Sequence, residues 1–246
     1  MKFVQAKNYS KANRGLNDIT LVCIHTMEAP EGPATAENVA NWFAGPNAPQ
    51  ASVHYNVDAD SIVKSVEEKD IAWHAGSING YSIGVEHAGY AKQTPEEWAD
   101  ESSLAILDKS AELVADICNR YSIPVQRVTA DDLKYGRRSG ICGHIDVTNG
   151  LSGGKGHWDP GPHFPWEWYL GRVLEYTNER ITDIHSIPAA VLEGDKIDTI
   201  DESEEGHWRD VTPVVHPNVP FSPFNRPSIN VTEEEEPDSG KGLKKD

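Results

Sequence analysis

Apolar positions along this chain fall in short blocks, and the spacing within them changes from block to block. Thr20-Leu21-Val22-Cys23-Ile24 is apolar and β-rich throughout, as a central strand requires. Residues 52–57 alternate, Asp58-Ala59-Asp60 interrupts, and residues 61–66 alternate again, which predicts a hairpin. Ser82-Ile83-Gly84-Val85-Glu86 predicts another strand, and residues 125–128 a short one. Helical spacing appears between them. Thr35 can cap a short helix with Val39, Trp42 and Phe43 on one face, stopped by Gly45-Pro46. Thr94-Pro95-Glu96-Glu97 has the form of a capping box with Pro at the first helical position. The helix it opens runs to about Arg120, with Leu104, Leu107, Ala111, Val114 and Cys118 facing a sheet. Pro165 opens a last amphipathic helix that buries Trp166, Tyr169, Leu170, Val173 and Leu174. Residues 1–19 read as a polar lead-in. This order predicts an α/β fold: one domain with a central mixed β-sheet flanked by helices.

The pattern stops near Arg180. Residues 181–246 are rich in Pro and carry acidic runs such as Glu233-Glu234-Glu235-Glu236. Such a segment has little apolar area to offset its ordering entropy. The expected division is therefore a domain over residues 1–180 and an acidic Pro-rich C-terminal extension over 181–246, irregular unless a protein partner holds it. Val214-Val215, Val219 and Phe221-Ser222-Pro223-Phe224 are its plausible docking anchors.

Composition narrows the function classes. A formal net charge of -17 argues against a nucleic-acid partner, because a phosphate backbone would repel this surface. No apolar run is long enough to span a bilayer. The N-terminal residues lack the hydrophobic stretch of a signal peptide. The 3 cysteines, Cys23, Cys118 and Cys142, sit in apolar runs and read as buried thiols rather than a disulfide framework.

The chemistry concentrates around Gly143-His144-Ile145-Asp146 and Gly154-Lys155-Gly156-His157-Trp158-Asp159-Pro160-Gly161-Pro162. Imidazole and carboxylate are ligands of catalytic zinc, where three protein groups leave a fourth position for water. His25, closing the first apolar run, with His144 and Asp159 would complete such a set. Cys142 shares a strand face with His144 and is an alternative ligand. Taken singly, each histidine reads as a hydrogen-bonded structural residue, and Asp-Pro-Gly has its own reason to occur in a turn. Glu86 ends a strand of small and apolar residues, where partial desolvation would raise its pKa; the plainer reading is a surface ion pair.

Ile24-His25-Thr26, Ala51-Ser52-Val53-His54-Tyr55, Ala72-Trp73-His74-Ala75-Gly76, Ser82-Ile83-Gly84-Val85-Glu86, Gly143-His144 and His157-Trp158-Asp159-Pro160-Gly161-Pro162-His163-Phe164-Pro165-Trp166 together resemble the zinc-dependent N-acetylmuramoyl-L-alanine amidases of the type-2 amidase and peptidoglycan-recognition superfamily. The resemblance covers roughly residues 18–178. It implies one Zn2+ held by His25, His144 and Asp159, with bacterial peptidoglycan as substrate. It implies hydrolysis of the amide between N-acetylmuramic acid and L-alanine. It makes Glu86 the catalytic carboxylate. It places His157 where many relatives carry a lysine that stabilises the oxyanion, with Lys155 as the other candidate. His54, Trp73 and His74 fall in blocks that line the substrate cleft; core packing is the alternative for Trp73, and a hydrogen bond to a metal ligand for His54. His87, His163, His185, His207 and His216 read as surface residues. The setting it implies is a phage lysin or virion tail-associated hydrolase, made in the host cytoplasm and acting on the wall. Two other roles compete: a module that binds muropeptide without cutting it, and a virion component that keeps the domain for docking.

Overall fold

In the computed structural model the described residues are 1–185, with side chains through residue 178. Of the acidic extension expected over 181–246, residues 181–185 are helical, which moves the end of the regular structure past residue 180; residues 186–246, with the anchors, His207 and His216, lie outside the described residues. In chain order the elements are β1 (Lys2–Phe3), β2 (Tyr9–Ser10), β3 (Leu21–Thr26), α1 (Thr35–Ala44), β4 (Tyr55–Val57), β5 (Ile62–Lys64), β6 (Ile71–Ala72), β7 (Ser82–His87), α2 (Pro95–Trp98), α3 (Glu101–Tyr121), α4 (Ala130–Lys134), β8 (Gly140–Gly143), α5 (His144–Leu151) and α6 (Trp166–His185). The main sheet runs β1-β5-β4-β7-β3-β8, and a small one pairs β2 with β6. β4 and β5 are antiparallel, while β7 and β8 flank β3 in parallel, so the sheet is mixed as expected.

β3 is buried along its whole length. Its side chains alternate between two apolar clusters. Val22 and Ile24, with Ile83 and Val85 of β7, pack on Leu107, Ala111 and Val114 of α3. Leu21 and Cys23 lie on the other face with Cys142 and Val147. Burying each such Leu, Ile or Val contributes roughly 1.5–3 kcal/mol. His25, two residues beyond Cys23, therefore emerges at the carboxyl end of β3 on the second face. Glu86 is its direct neighbour on β7, and Gly143 pairs with Ile24, which puts His144 just past the end of β8. Register alone gathers these residues at one end of three adjacent strands.

Several sequence expectations need correction. Residues 1–19 are more than a lead-in, because β1 and β2 extend the sheets. The helix from Thr94 is broken: α2 ends after Trp98, which is 1% exposed, and Asp100 caps α3 by accepting from Ser103 N at 2.8 Å. Burial of the Trp98 ring redirects the chain where sequence spacing ran on. Residues 125–128 make only an isolated bridge, Arg127 to Ile141. On α1 it is Ala36, Ala40 and Phe43 that are buried, whereas Trp42 is exposed. On α6, Tyr169 and Val173 are buried and Leu174 is exposed.

Candidate active site

The ends of β3 and β8 deliver the first two groups. Asp146 secures the start of α5 by accepting from Gly143 N at 2.7 Å and from Arg127 Nη2 at 2.7 Å, and the Arg127 guanidinium lies 3.8 Å from the Trp166 ring centre. His144, the first residue of α5, is thereby fixed. The loop that follows returns to the same point: Ile145 N donates to Asp159 O at 2.8 Å, and Thr148 Oγ1 donates to His157 O at 2.6 Å. Gly161 then passes so close to Ala91 that a Cβ would lie 1.8 Å from Ala91 O, and its φ is +93°, so only glycine fits.

The result is a tight cluster. His25 Nδ1 is 2.9 Å from Asp159 Oδ2, and His144 Nδ1 is 3.3 Å from Asp159 Oδ1. The ligand atoms of His25, His144 and Asp159 all lie within 4.8 Å of one another; His25 and Asp159 are buried and His144 is partly buried. Burial opposes charge on Asp159, but the adjoining imidazoles of His144 and His25 outweigh it and hold its pKa well below the usual carboxylate range. Burial pulls the pKa of His25 down, against the pull of Asp159. Two imidazoles and a carboxylate are a donor set that suits zinc. Cys142 lies one row deeper, paired in register with Cys23, and is not among these three.

Glu86 faces the same space. Its Oε2 is buried with no hydrogen-bond partner, so the surface ion pair is not what the structure holds. Burial, followed by the charges of Asp159 and Glu28, pushes its pKa well above the ordinary value. An orphaned acidic oxygen beside three converging donors fits a site that accepts a cation and water. His157 is exposed and stacks on His144, centroids 4.8 Å apart, with Nδ1 3.9 Å from Asp159 Oδ1. Lys155 is exposed, and no described contact directs it to the cluster.

These groups line a cleft of about 460 Å³. Trp73 stands in its wall, held by a hydrogen bond from Nε1 to Ser10 Oγ at 2.9 Å. His74 also reaches the cleft, but its nitrogens already face His25 Nε2 at 3.0 Å and Ser82 Oγ at 3.1 Å. Burial and the neighbouring imidazoles push its pKa well down, which keeps the ring neutral. His54 is a correction: it is fully buried, accepts from Gly84 N at 3.0 Å and does not reach the cleft. Burial, then Arg14, lowers its pKa to about 3. His87 is another correction. Read as a surface residue, it is buried between His25 O and Ser110 Oγ.

Sequence reasoning passed over three cleft residues. Trp42 and Trp158 flank the opening, 55% and 49% exposed. The Trp-Asp-Pro spacing held a signal for Trp158, whereas Trp42 was absorbed into a buried helix face. Glu28 carries no such signal, because it stands in a stretch whose Pro and Gly mark only a loop. It has φ +51°, and its Oε1 accepts from Thr26 Oγ1 and Ala91 N, each at 2.8 Å.

Fold and site together define a member of the N-acetylmuramoyl-L-alanine amidase family, whose model matches residues 15–162; the chain belongs to that family. It is similar to N-acetylmuramoyl-L-alanine amidase A of Achromobacter lyticus, 31% identical over 181 residues, covering 68% of this chain and 89% of that protein. It is also similar to N-acetylmuramoyl-L-alanine amidase CwlL of Bacillus licheniformis, 26% identical over 156 residues, covering 60% of this chain but 39% of CwlL. Among solved structures, hydrolase AmiA of Staphylococcus aureus in complex with its ligand shares the fold, with TM-score 0.55 and 19% identity over 74% of this chain and 84% of AmiA. Among the described residues no helix is long and apolar enough to cross a membrane.

Proposed function

We propose that this chain is a zinc-dependent hydrolase of bacterial peptidoglycan that cuts the amide between the lactyl group of N-acetylmuramic acid and L-alanine of the stem peptide. The observation that carries the reading is the convergence of His25 Nδ1, His144 Nδ1 and an Asp159 oxygen beside the partnerless Glu86 Oε2, inside an open cleft. His25, His144 and Asp159 would hold one Zn2+. Bound there, the ion supplies Lewis-acid chemistry, polarising a carbonyl and acidifying water near neutral pH.

The remaining steps belong to the chain. Glu86, with its raised pKa, takes the proton of the attacking water and passes it to the leaving amine. His157, exposed and stacked on His144, presents a ring N–H toward the developing oxyanion. Trp73 in the wall, with Trp42 and Trp158 at the mouth, offers apolar faces to sugar and peptide. The phage-lysin setting rests on the sequence resemblance alone; detecting the chain in purified virions or infected cells tests it.

Incubating the zinc-loaded chain with purified cell walls should release new L-alanine N-termini. A chain that binds walls without releasing them is a recognition module, and that result would reject the hydrolase.

A further inference from the structure

The hydrogen bonds behind His25 fix where its proton must sit. Ser82 has one hydroxyl proton, and Ile78 O, an acceptor only, takes it at 2.8 Å. Ser82 Oγ must then accept from His74 Nε2–H at 3.1 Å. A neutral imidazole carries one N–H, so His74 Nδ1 is a bare lone pair. That lone pair lies 3.0 Å from His25 Nε2, which therefore donates. The proton of neutral His25 is thus held on Nε2, and its Nδ1 lone pair faces Asp159 Oδ2 across 2.9 Å. Two acceptors at that distance repel unless a cation lies between them.

Strand β7 is shaped to allow this arrangement. A Cβ on Gly84 would come within 2.7 Å of His74 Cγ, inside any real contact distance. Glycine in the Ile83-Gly84-Val85-Glu86 block leaves room for the ring, and His54 Nδ1, accepting from Gly84 N at 3.0 Å, braces the strand from beneath.

The geometry points to His74 as a positioning residue for the metal ligand His25: by accepting the Nε2 proton, it holds the Nδ1 lone pair toward Asp159 and the ion. This rests on the zinc reading of the site. Metal-bound histidines generally donate their other N–H to a neighbouring acceptor, and losing that acceptor costs about 10–100-fold in metal affinity. Here the acceptor is a second imidazole, anchored in turn by Ser82 and Ile78 O.

The test is zinc affinity, measured by competition with a chromogenic chelator in the absence of substrate. His74→Ala and His74→Phe should both weaken binding by about 10–100-fold. His74→Asn, whose Oδ1 can stand where Nδ1 stood, should restore most of it. When zinc is saturating, the Ala and Phe variants should keep KM close to wild type. Nitrogen-15 spectra of the zinc-loaded wild type should show His74 protonated on Nε2 alone. Wild-type affinity in the Ala variant, rescue by Phe as well as by Asn, a changed KM with unchanged zinc affinity, or a protonated His74 Nδ1 would each overturn the positioning role while leaving the metal site standing. A wild-type chain that binds no zinc would overturn the metal reading, and the positioning role with it.

Discussion

At the scale of single residues, Glu86 is where function opposes stability. Its buried oxygen lacks a partner, and its folded pKa is raised. A group whose pKa is raised on folding loses stability as pH climbs past its ordinary value of 4.5, and the loss is complete once pH passes the folded value. Metal-free Glu86→Gln should therefore melt at a higher temperature than wild type at pH 8, and the gap should close at and below pH 4.5. The same substitution should keep zinc but lower turnover at least about 100-fold, the low end for proton-transfer catalysis. Calorimetry and wall-digestion kinetics check the two halves, and near-normal turnover would remove Glu86 from the mechanism. His157→Ala should lower kcat/KM with zinc affinity retained; an unchanged value would move the role to Lys155 or to no side chain. At this scale the sequence was legible where residue type and chemistry coincide. His25, His144, Asp159 and Glu86 stand in blocks whose spacing announces a site. His54 and His87 were not legible, because a histidine reads the same whether it faces substrate or a buried backbone atom.

At the scale of elements, one ion pair, buried at its Glu68 end and exposed at Arg120, joins layers of the fold. Glu68 follows β5 and accepts from Tyr55 Oη of β4, from Tyr121 Oη at 2.8 Å and from the Arg120 guanidinium at the end of α3. Burial alone would raise its pKa, yet those hydrogen bonds, Arg120 first, bring it down to about 2. A depressed carboxylate contributes stability above its ordinary value of 4.5 and loses it as pH falls toward 2. Glu68→Gln should cost roughly 2–3 kcal/mol at pH 7 and little at pH 2, read from denaturant midpoints at both pH values. Gly161→Ala should cost at least about 2 kcal/mol, given its positive φ and the Ala91 carbonyl in the way; a midpoint within error of wild type would contradict that close approach. Strands β3, β4, β5 and β7 were legible because their patterns are local. The break between α2 and α3 was not, since it depends on what surrounds the Trp98 ring. Nor were β1 and β2, whose two-residue strands exist only through their partners.

At the scale of the molecule, the sequence foretold a mixed sheet flanked by helices, and register then carries the site: parallel β7, β3 and β8 end together, as ligand sites in open α/β sheets do. Local pattern alone does not bring His25 and Asp159 together, since they are 134 residues apart and meet through strand order; residue type and the family resemblance pointed to the pairing, and register supplies its physical cause. The described site draws every group from residues 14–166, so a chain ending at residue 185 should keep its fold, its zinc affinity and its wall-digesting activity; loss of any of these would give residues 186–246 a part in the site. The central claim is most directly tested by metal analysis of the purified chain beside its Asp159→Ala variant. One zinc per wild-type chain, and almost none in the variant, is the result this account predicts. A wild-type chain without zinc after loading, or a variant that retains the full amount, would contradict it.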